Sequence, residues 1–284
     1  MIVYLNGEWL PQKSACIPIT DRGFLLSDGV FETARLHQGK YFRLTQHLDR
    51  LDDSARTLHL KTPARDELVH LAFEIARRNQ LTEGSLRITI TRGSGGHGLK
   101  TRGADHPTLL VTIAPMPDGW EQRAAQGWAL ATAHTLRPPA TSVPAQLKAL
   151  GRVYAILAAL EAEEAGADDA LLLTANREIA EGPTWNFFWR KGRTIRTAAL
   201  GGGILEGVTR RIIIEIARSE GYEVAEGLWP RSDLDDADEA FATMTSQGVV
   251  PIRSIDGHAF PATDCATQFQ RRYWNLVADE LRTS

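Results

Sequence analysis

The chain has 284 residues, of which 43% are hydrophobic and 24% charged, with a formal net charge of −3. These values are typical of a globular protein that buries a full core, and the length allows two domains. The small net charge argues against electrostatic binding to nucleic acid or to an anionic membrane. Two cysteines, no signal-peptide pattern at the N-terminus and no run of 18 apolar residues predict a cytoplasmic protein without a disulfide scaffold or a membrane span.

Strands and hairpins alternate with helices in the first part of the chain. Asn6-Gly7 and Gly39 mark the turns of two predicted hairpins. Apolar residues at helical spacing predict helices from about Thr45 and over 65–79. Strict alternation in LRITITR, beginning at Leu86, predicts a strand, and the apolar TLLVTIAP predicts another.

The second part repeats this mixture after a proline- and glycine-containing stretch. Strands are predicted at WALATAH and ALLLT, a helix directly after Lys148 as far as Gly166, and a helix over 208–219. A hairpin around Asp256-Gly257 and a terminal helix over 263–282 complete the chain. Mixed hairpins and helices favour an α+β fold over a doubly wound parallel sheet. We expect a smaller N-terminal α+β domain (1–117), a linker (118–124) and a larger C-terminal domain (125–284).

Lys148 is the first candidate for chemistry. A lysine acts as an amine nucleophile near pH 7 only if burial or a nearby cation lowers its pKa from about 10.4. Its neighbours Pro144, Ala145, Leu147 and Leu150 are apolar, which suits desolvation. Read by itself, Lys148 also fits an exposed lysine in front of a helix.

Glu181 begins the motif EGPTWNFF, 33 residues after Lys148. A carboxylate beside a pyridine nitrogen keeps that nitrogen protonated and makes the ring an electron acceptor. Asn186, five residues further on, could tie the same loop to the backbone. Both residues also fit a turn without catalytic function.

The motif GGGILEGVTR predicts an anion site. Gly207 permits close approach, and the backbone N–H groups of Val208 and Thr209 open a helix whose dipole favours negative charge. The spacing is neither that of a phosphate-binding nucleotide loop nor GxGxxG. A lysine, a carboxylate and a helix N-terminus in this order are the parts needed to hold an aldehyde cofactor that carries a phosphate.

Arg50 and the strand FETAR add further candidates. Arg50 lies on the predicted helix that follows Thr45, and an arginine can clamp a phosphate with two hydrogen bonds. Alternation places Phe31, Thr33 and Arg35 on one strand face, where they could line a pocket or face solvent.

The histidines have no ligand-like spacing, so no metal site is predicted, and Ser246 lacks the context of a hydrolase nucleophile.

Together these motifs resemble the class IV, or fold type IV, pyridoxal-phosphate enzymes. The resemblance covers nearly the whole chain and rests on DRGFLLSDGVFETARL, FRLTQHLDRL, PAQLK, EGPTWNFF, GILEGVTR and TMTSQGVVPI in this order. The family contains branched-chain and D-amino-acid aminotransferases, (R)-selective amine transaminases and aminodeoxychorismate lyases.

The resemblance implies roles for individual residues. Lys148 matches the Schiff-base lysine, which also transfers the proton, and Glu181 matches the partner of the pyridine nitrogen. Asn186 matches the family's asparagine. The residues implied to hold pyridoxal 5'-phosphate besides these are Arg50, Leu205, Gly207, Val208, Thr209, Thr245 and Ser246.

The resemblance also implies two domains that face each other across the cofactor, a homodimer in which a neighbour's loop closes the site, and small-molecule substrates. These are an amino donor and a 2-oxo acid acceptor.

Which member of the family the chain resembles most depends on other positions. Branched-chain enzymes carry a tyrosine five residues after the lysine, where this chain has Val153. The carboxylate trap of bacillus-type D-amino-acid enzymes is not reproduced, since His97 and Leu99 stand at its Arg and His positions. Arg102, Arg35 or Arg137 could replace it.

RGSGGHGL, NFFWRKG and Thr33 resemble the lyase, whereas TLRPPATSVPAQLK resembles the transaminases. We expect an aminotransferase acting on D-amino acids or (R)-amines, with Phe31, Thr33, Arg35 and His97 at the substrate. Aminodeoxychorismate lyase is the alternative and a branched-chain L-amino-acid enzyme the third possibility.

Overall fold

The computed structural model describes residues 1–283, which form two compact units. Unit 1 comprises residues 1–117 and 147–151, and unit 2 comprises the other described residues, 118–146 and 152–283. Lys148 therefore belongs to unit 1, although the sequence analysis assigned it to a C-terminal domain. The stretch expected as a linker, 118–124, includes the beginning of a short helix.

Unit 1 is an antiparallel sheet with two helices packed on one face. Its elements are β1 (Ile2–Leu5), β2 (Glu8–Pro11), α1 (Arg22–Leu26), β3 (Gly29–His37), β4 (Lys40–Tyr41), α2 (Leu44–Thr57), α3 (Arg65–Arg78), β5 (Gly84–Thr91) and β6 (Thr108–Ala114). The strand order is β2-β1-β6-β5-β3-β4. Both predicted hairpins are confirmed, with positive φ at Asn6, Gly7, Gln38 and Gly39.

The core of unit 1 lies between this sheet and the helices α2 and α3. Leu44, Leu48, Leu51 and Ala55 form the buried stripe of α2, because residues three and four apart share a helix face. Leu86, Ile88 and Ile90 of β5 enter the same core, as their alternation predicts. The alternate residues of β3 and β5 therefore point to the other face of the sheet, away from this core.

Unit 2 is built on a mixed sheet. Its elements are α4 (Trp120–Gln126), β7 (Trp128–Thr132), α5 (Val153–Glu164), β8 (Asp169–Leu171), β9 (Asn186–Lys191), β10 (Thr194–Ala198), α6 (Val208–Ser219), β11 (Glu223–Gly227), β12 (Glu239–Met244), β13 (Gly248–Ile255), β14 (His258–Ala259) and α7 (Asp264–Thr283). The order is β11-β10-β9-β12-β13-β7-β8, with β14 on β13. Three of its strand pairs are parallel: β10 with β11, β13 with β7, and β7 with β8.

The sheets and helices confirm the expected α+β class. The helices predicted over 208–219 and at the C-terminus are present, as is the hairpin at Asp256-Gly257. The helix expected directly after Lys148 begins only at Val153. The reason is local: the backbone around Lys148 bonds to β3 instead of entering a helix.

Candidate active site

The backbone of Lys148 is held in an extended segment beside β3. Phe31 N donates to Lys148 O over 3.1 Å, Leu150 N donates to Gly29 O over 3.0 Å, and Lys148 N donates to Ser54 Oγ over 3.1 Å. The lysine is half-buried, and its Nζ lies 4.7 Å from the centroid of the Phe31 ring. The hydrogen bonds fix the backbone from which the lysine side chain extends, and its amine lies near an aromatic ring.

A buried carboxylate lies close to this lysine. Glu32 Oε1 accepts from Arg50 Nε over 2.6 Å, and Glu32 Oε2 accepts from Arg50 Nη2 over 3.1 Å. Glu32 Oε2 also lies 3.0 Å from His47 Nδ1. Burial by itself would raise the pKa of Glu32, but the charge of Arg50 and the His47 hydrogen bond outweigh it and hold the pKa well below its usual range.

Lys148 also lowers the pKa of Glu32. Burial lowers the pKa of His47, so this ring is neutral near pH 7 and donates its Nδ1–H to the carboxylate. Arg50, expected at a phosphate, thus has Glu32 as a bidentate partner. Its contact with a phosphate stays a prediction.

The other face of β3 presents Phe31, Thr33 and Arg35. Arg35 is buried and its Nη2 donates to Glu83 Oε2 over 2.7 Å, so its charge is already neutralised locally. Thr33 is half-buried and lies directly across the strand pair from Arg87. Arg87 Cζ lies 3.8 Å from the centroid of the Phe31 ring. An exposed guanidinium and the Lys148 amine therefore contact the same aromatic side chain.

His97 lies in the loop that follows β5. His97 N donates to Lys100 O over 3.2 Å and Lys100 N donates to His97 O over 3.1 Å, which closes a tight loop. Both side chains are exposed. The expected contact of His97 with the substrate stays a prediction.

In unit 2, Glu181 is the centre of a second polar cluster. Its Oε1 accepts from Arg137 Nε over 2.8 Å, and its Oε2 accepts from Asn186 Nδ2 and from Leu205 N, each over 3.1 Å. Asn186 Nδ2 also donates to Leu205 O over 2.8 Å. Burial raises the pKa of Glu181, while the Arg137 charge and the Leu205 N–H oppose that rise.

The N-terminus of α6 adjoins this cluster. Gly207 is extended (φ −71°, ψ 138°), and no side chain caps the first turn, which contains Val208 and Thr209. A Cβ on Gly207 would collide with Oδ1 of Asn186, so only glycine allows this approach. Uncapped N–H groups at the start of a twelve-residue helix favour an anion.

Thr245 and Ser246 are half-buried in the turn between β12 and β13. Thr243, two residues earlier, pairs with Asn186 across the sheet. The turn therefore follows the end of β12 that lies beside the beginning of β9. In unit 2, Glu181, Asn186 and Leu205 are joined by hydrogen bonds, and Gly207 lies against the side chain of Asn186. Thr245 and Ser246 follow the strand that pairs with Asn186.

The first 283 residues contain neither a group of three His, Cys, Asp or Glu side chains able to hold a metal ion nor a helix long and apolar enough to cross a membrane.

The family model described as amino-transferase class IV matches residues 29–255. This chain belongs to the class IV aminotransferase family. It is 36% identical over 258 residues to a Methanocaldococcus jannaschii protein provisionally named branched-chain-amino-acid aminotransferase, covering 90% of this chain and 88% of that one. It is 32% identical over 264 residues to the aminodeoxychorismate lyase of Bacillus subtilis, covering 90% and 87%.

The fold agrees with this membership. A branched-chain amino acid aminotransferase from T.th., solved with N-(5'-phosphopyridoxyl)-L-glutamate, superimposes with a TM-score of 0.90 at 30% identity and covers 97% of this chain and 93% of that chain. The protein is accordingly a pyridoxal-phosphate-dependent class IV aminotransferase. The expected family, fold type IV architecture and cofactor are confirmed.

The residues present fit the cofactor. A carboxylate offers about four lone pairs, and the contacts to Arg137, Asn186 and Leu205 use three, so Glu181 can accept one more N–H. The uncapped start of α6 has the N–H groups that a phosphate needs, and the expectation that Lys148 supplies the amine stays a prediction.

Sequence reasoning missed Glu32 and Arg87. Both could have been found from strand alternation. Glu32 is a charged residue on the core-facing side of β3, and Arg87 lies opposite Thr33 on the other face of the sheet.

Proposed function

We propose that the enzyme transfers an amino group from a D-amino acid or an (R)-amine to a 2-oxo acid. The position of Arg87 is the observation that supports an amino acid and a 2-oxo acid as substrates. Its guanidinium stacks on Phe31, the ring that Lys148 Nζ also contacts. A guanidinium binds a carboxylate with two parallel hydrogen bonds. A substrate whose carboxylate meets Arg87 would present its reacting carbon near the lysine.

The donor preference rests on Val153. Branched-chain enzymes have a tyrosine at this position, whereas Val153 is apolar and 65% exposed at the first turn of α5. This chain consequently has no phenol at this point. An apolar residue here resembles the D-amino-acid enzymes and the lyases alike, so it favours a D-amino acid or (R)-amine donor over a branched-chain L-amino acid.

The remaining residues take the roles that their surroundings allow. Bound pyridoxal phosphate supplies an electron-accepting ring that stabilises negative charge on the carbon beside the amine. Lys148 would carry the cofactor through its amine, and the same amine would take the proton from the substrate α-carbon. Glu181 would keep the ring nitrogen protonated, and Asn186 Nδ2 donates to this carboxylate and so orients it.

The phosphate would be held by the α6 N-terminus at Val208 and Thr209, by the turn at Thr245 and Ser246, and by Arg50. Leu205 would pack against the ring. The positive charge of Lys148 would help to keep Glu32 ionised, because it lowers the pKa of that carboxyl.

Two other activities have specific support. A branched-chain L-amino-acid aminotransferase is favoured by the names of the similar proteins from M. jannaschii and T.th.. Aminodeoxychorismate lyase is favoured by the B. subtilis relative and by the lyase-like motif around Thr33.

We further propose that the enzyme is a homodimer. Helix α1 exposes Phe24 (73%) and Leu25, and α5 exposes Val153, Ile156 and Leu160. Exposed apolar groups of this kind on a surface helix are typical of a surface that another subunit covers. Light scattering of the holoenzyme should give twice the mass of the 31.3 kDa chain, and a monomer would contradict this.

One assay panel tests the proposed activity. The holoenzyme is incubated with D-alanine, L-leucine or (R)-1-phenylethylamine against pyruvate or 2-oxoglutarate, and separately with aminodeoxychorismate. Transfer from D-alanine or the (R)-amine supports the proposal. Transfer from L-leucine alone would make the enzyme branched-chain specific, and release of pyruvate and aminobenzoate without transfer would make it a lyase.

Arg87→Gln separates carboxylate binding from the rest of the reaction. For amino acid donors kcat/KM should fall at least about 30-fold, or roughly 2 kcal/mol, because the bidentate contact is lost. The (R)-amine has no carboxylate and should be affected little. Arg65→Gln, which removes a surface partner of Asp49 and Asp52, is the control.

A further inference from the structure

Arg210 is a buried cation in the first turn of α6. It is the third residue of the helix, and its side chain is 2% exposed. A positive charge in the first turn opposes the helix dipole, and burial of a charge is unfavourable unless the charge is paired. The contacts of Arg210 must therefore offset both of these unfavourable effects.

The guanidinium of Arg210 connects the start of α6 to two strands. Its Nη2 donates to Ala198 O over 2.9 Å and to Glu226 Oε2 over 2.7 Å. Ala198 is the last residue of β10, and Glu226 lies on β11, which pairs with β10 in parallel. One side chain therefore joins the first turn of the helix to a fixed point of the sheet.

The aliphatic part of Arg210 lies against the residue that precedes the helix. A Cβ on Gly207 would lie 3.3 Å from Arg210 Cβ and would collide with Asn186 Oδ1. Gly207 is thus enclosed between Asn186 on one side and Arg210 on the other. These contacts restrict the backbone that leads into the N–H groups of Val208 and Thr209.

A second arginine of the same helix does not share this arrangement. Arg218 lies one residue before the end of α6, its side chain is 58% exposed, and its Nη2 lies 3.8 Å from Glu226 Oε1. An exposed ion pair of this kind contributes little to stability. Both arginines contact Glu226, but of the two it is Arg210 that holds the end of α6 where the phosphate is expected.

We propose that Arg210 is a positioning residue for the cofactor phosphate, which holds the first turn of α6 in the orientation in which the N–H groups of Val208 and Thr209 bind it. The inference rests on the phosphate contact of α6 proposed above. Arg210 touches neither the cofactor nor the substrate in this account. It acts through the helix backbone, so its loss weakens the binding of the phosphate and leaves the binding of the rest of the cofactor unchanged.

The experiment compares the affinities of the apoenzyme for pyridoxal 5'-phosphate and for pyridoxal, which lacks the phosphate, by absorbance titration. Arg210→Met removes the guanidinium and keeps an unbranched side chain. It should weaken the binding of pyridoxal 5'-phosphate about 10-fold and that of pyridoxal by less than about twofold. Arg218→Met, which removes the exposed partner of Glu226, should bind both compounds like the wild type.

Glu226→Gln makes a milder change to the same contact. The Glu226 side chain is 35% exposed, so we expect this variant to fold even where Arg210→Met does not. The amide oxygen still accepts from Arg210, but without a charge the hydrogen bond is weaker. The affinity for pyridoxal 5'-phosphate should fall about threefold, and the affinity for pyridoxal should not change.

An equal loss of affinity for both compounds would mean that Arg210 only stabilises the fold, and would overturn the positioning role. Unchanged affinity for pyridoxal 5'-phosphate in Arg210→Met and Glu226→Gln would overturn it as well. Gly207→Ala then tests the contact on which the inference rests. A loss in Gly207→Ala that is larger for pyridoxal 5'-phosphate than for pyridoxal would reject only the role of Arg210, whereas no such loss would also reject the phosphate contact of α6.

Discussion

Arg137 and Glu181 form a buried ion pair, with Arg137 Nε 2.8 Å from Glu181 Oε1 and side chains 8% and 3% exposed. Burial raises the pKa of the Glu181 carboxyl, and the charge of Arg137 opposes that rise. The pair connects the fold of unit 2 to the chemistry expected of Glu181, because a charged carboxylate is what a protonated ring nitrogen requires.

Arg137→Met should destabilise the protein by about 3 kcal/mol at neutral pH, because it leaves a buried carboxylate without its cation. The pKa of Glu181, already raised by burial, should rise further. Below the raised folded-state pKa of wild-type Glu181 this carboxyl is protonated in both proteins, so the pH-dependent part of the loss should appear only as the pH rises through that pKa. Urea unfolding between pH 5 and 8 measures it. Arg272→Met breaks the exposed pair with Glu220 and should change stability by less than about 1 kcal/mol; an equal loss would refute the role of burial.

Glu32→Gln should cost about 3 kcal/mol at pH 7, because it strands the charge of Arg50 beside a neutral amide. The pKa of Glu32 is depressed, so its contribution is present above the ordinary value of about 4.3 and is lost as the pH falls below it. The gap between wild type and variant should therefore shrink in acid. Glu74→Gln, at the exposed pairs with Arg77 and Arg78, is the control. A gap that does not depend on pH would contradict this account.

Gly207→Ala should weaken cofactor binding about 10-fold, or roughly 1.4 kcal/mol. The new Cβ would collide with Asn186 Oδ1 and displace the residue that orients Glu181. Titration of the apoenzyme with pyridoxal phosphate, followed by absorbance, measures the affinity. Gly201→Ala, where a Cβ meets nothing within 4 Å, should bind like the wild type. Equal affinity in both variants would show that the close approach at Gly207 is not needed.

Cys265 should be unreactive in the folded enzyme. Burial raises the pKa of its thiol to about 12, so almost no thiolate exists near pH 8. Cys16 is exposed. A thiol-specific chromogenic reagent should titrate one group in the native protein, none in Cys16→Ser, and two after unfolding of the wild type. Rapid reaction of Cys265 in native Cys16→Ser would be inconsistent with its buried position.

The sequence predicted the parts of the site that depend on local patterns. Lys148, Glu181 and the α6 N-terminus at Val208 follow from motif order and helix signals, and the hairpins at Asn6-Gly7 and Asp256-Gly257 follow from turn chemistry. Each of these depends on residues close together in the chain.

Contacts between distant segments could not be predicted in this way. The pairing of residues 148–150 with β3 delays the helix to Val153, and only the folded sheet reveals it. Arg50 matched a phosphate ligand in the motif, yet its bidentate partner Glu32 lies 18 residues away on a strand. Arg87 could be recognised as a candidate site residue only from the strand register, which places it opposite Thr33.

Every role proposed for the site depends on Lys148, one of six lysines in the chain, carrying the cofactor. Reduction of the holoenzyme with sodium borohydride, followed by digestion and mass spectrometry, locates the phosphopyridoxyl group. We expect the modification on Lys148 alone, and no modification, no turnover and no near-visible cofactor absorbance in Lys148→Ala. A phosphopyridoxyl group on another lysine, or a coloured and active Lys148→Ala enzyme, would show that the assignment of Lys148 is wrong.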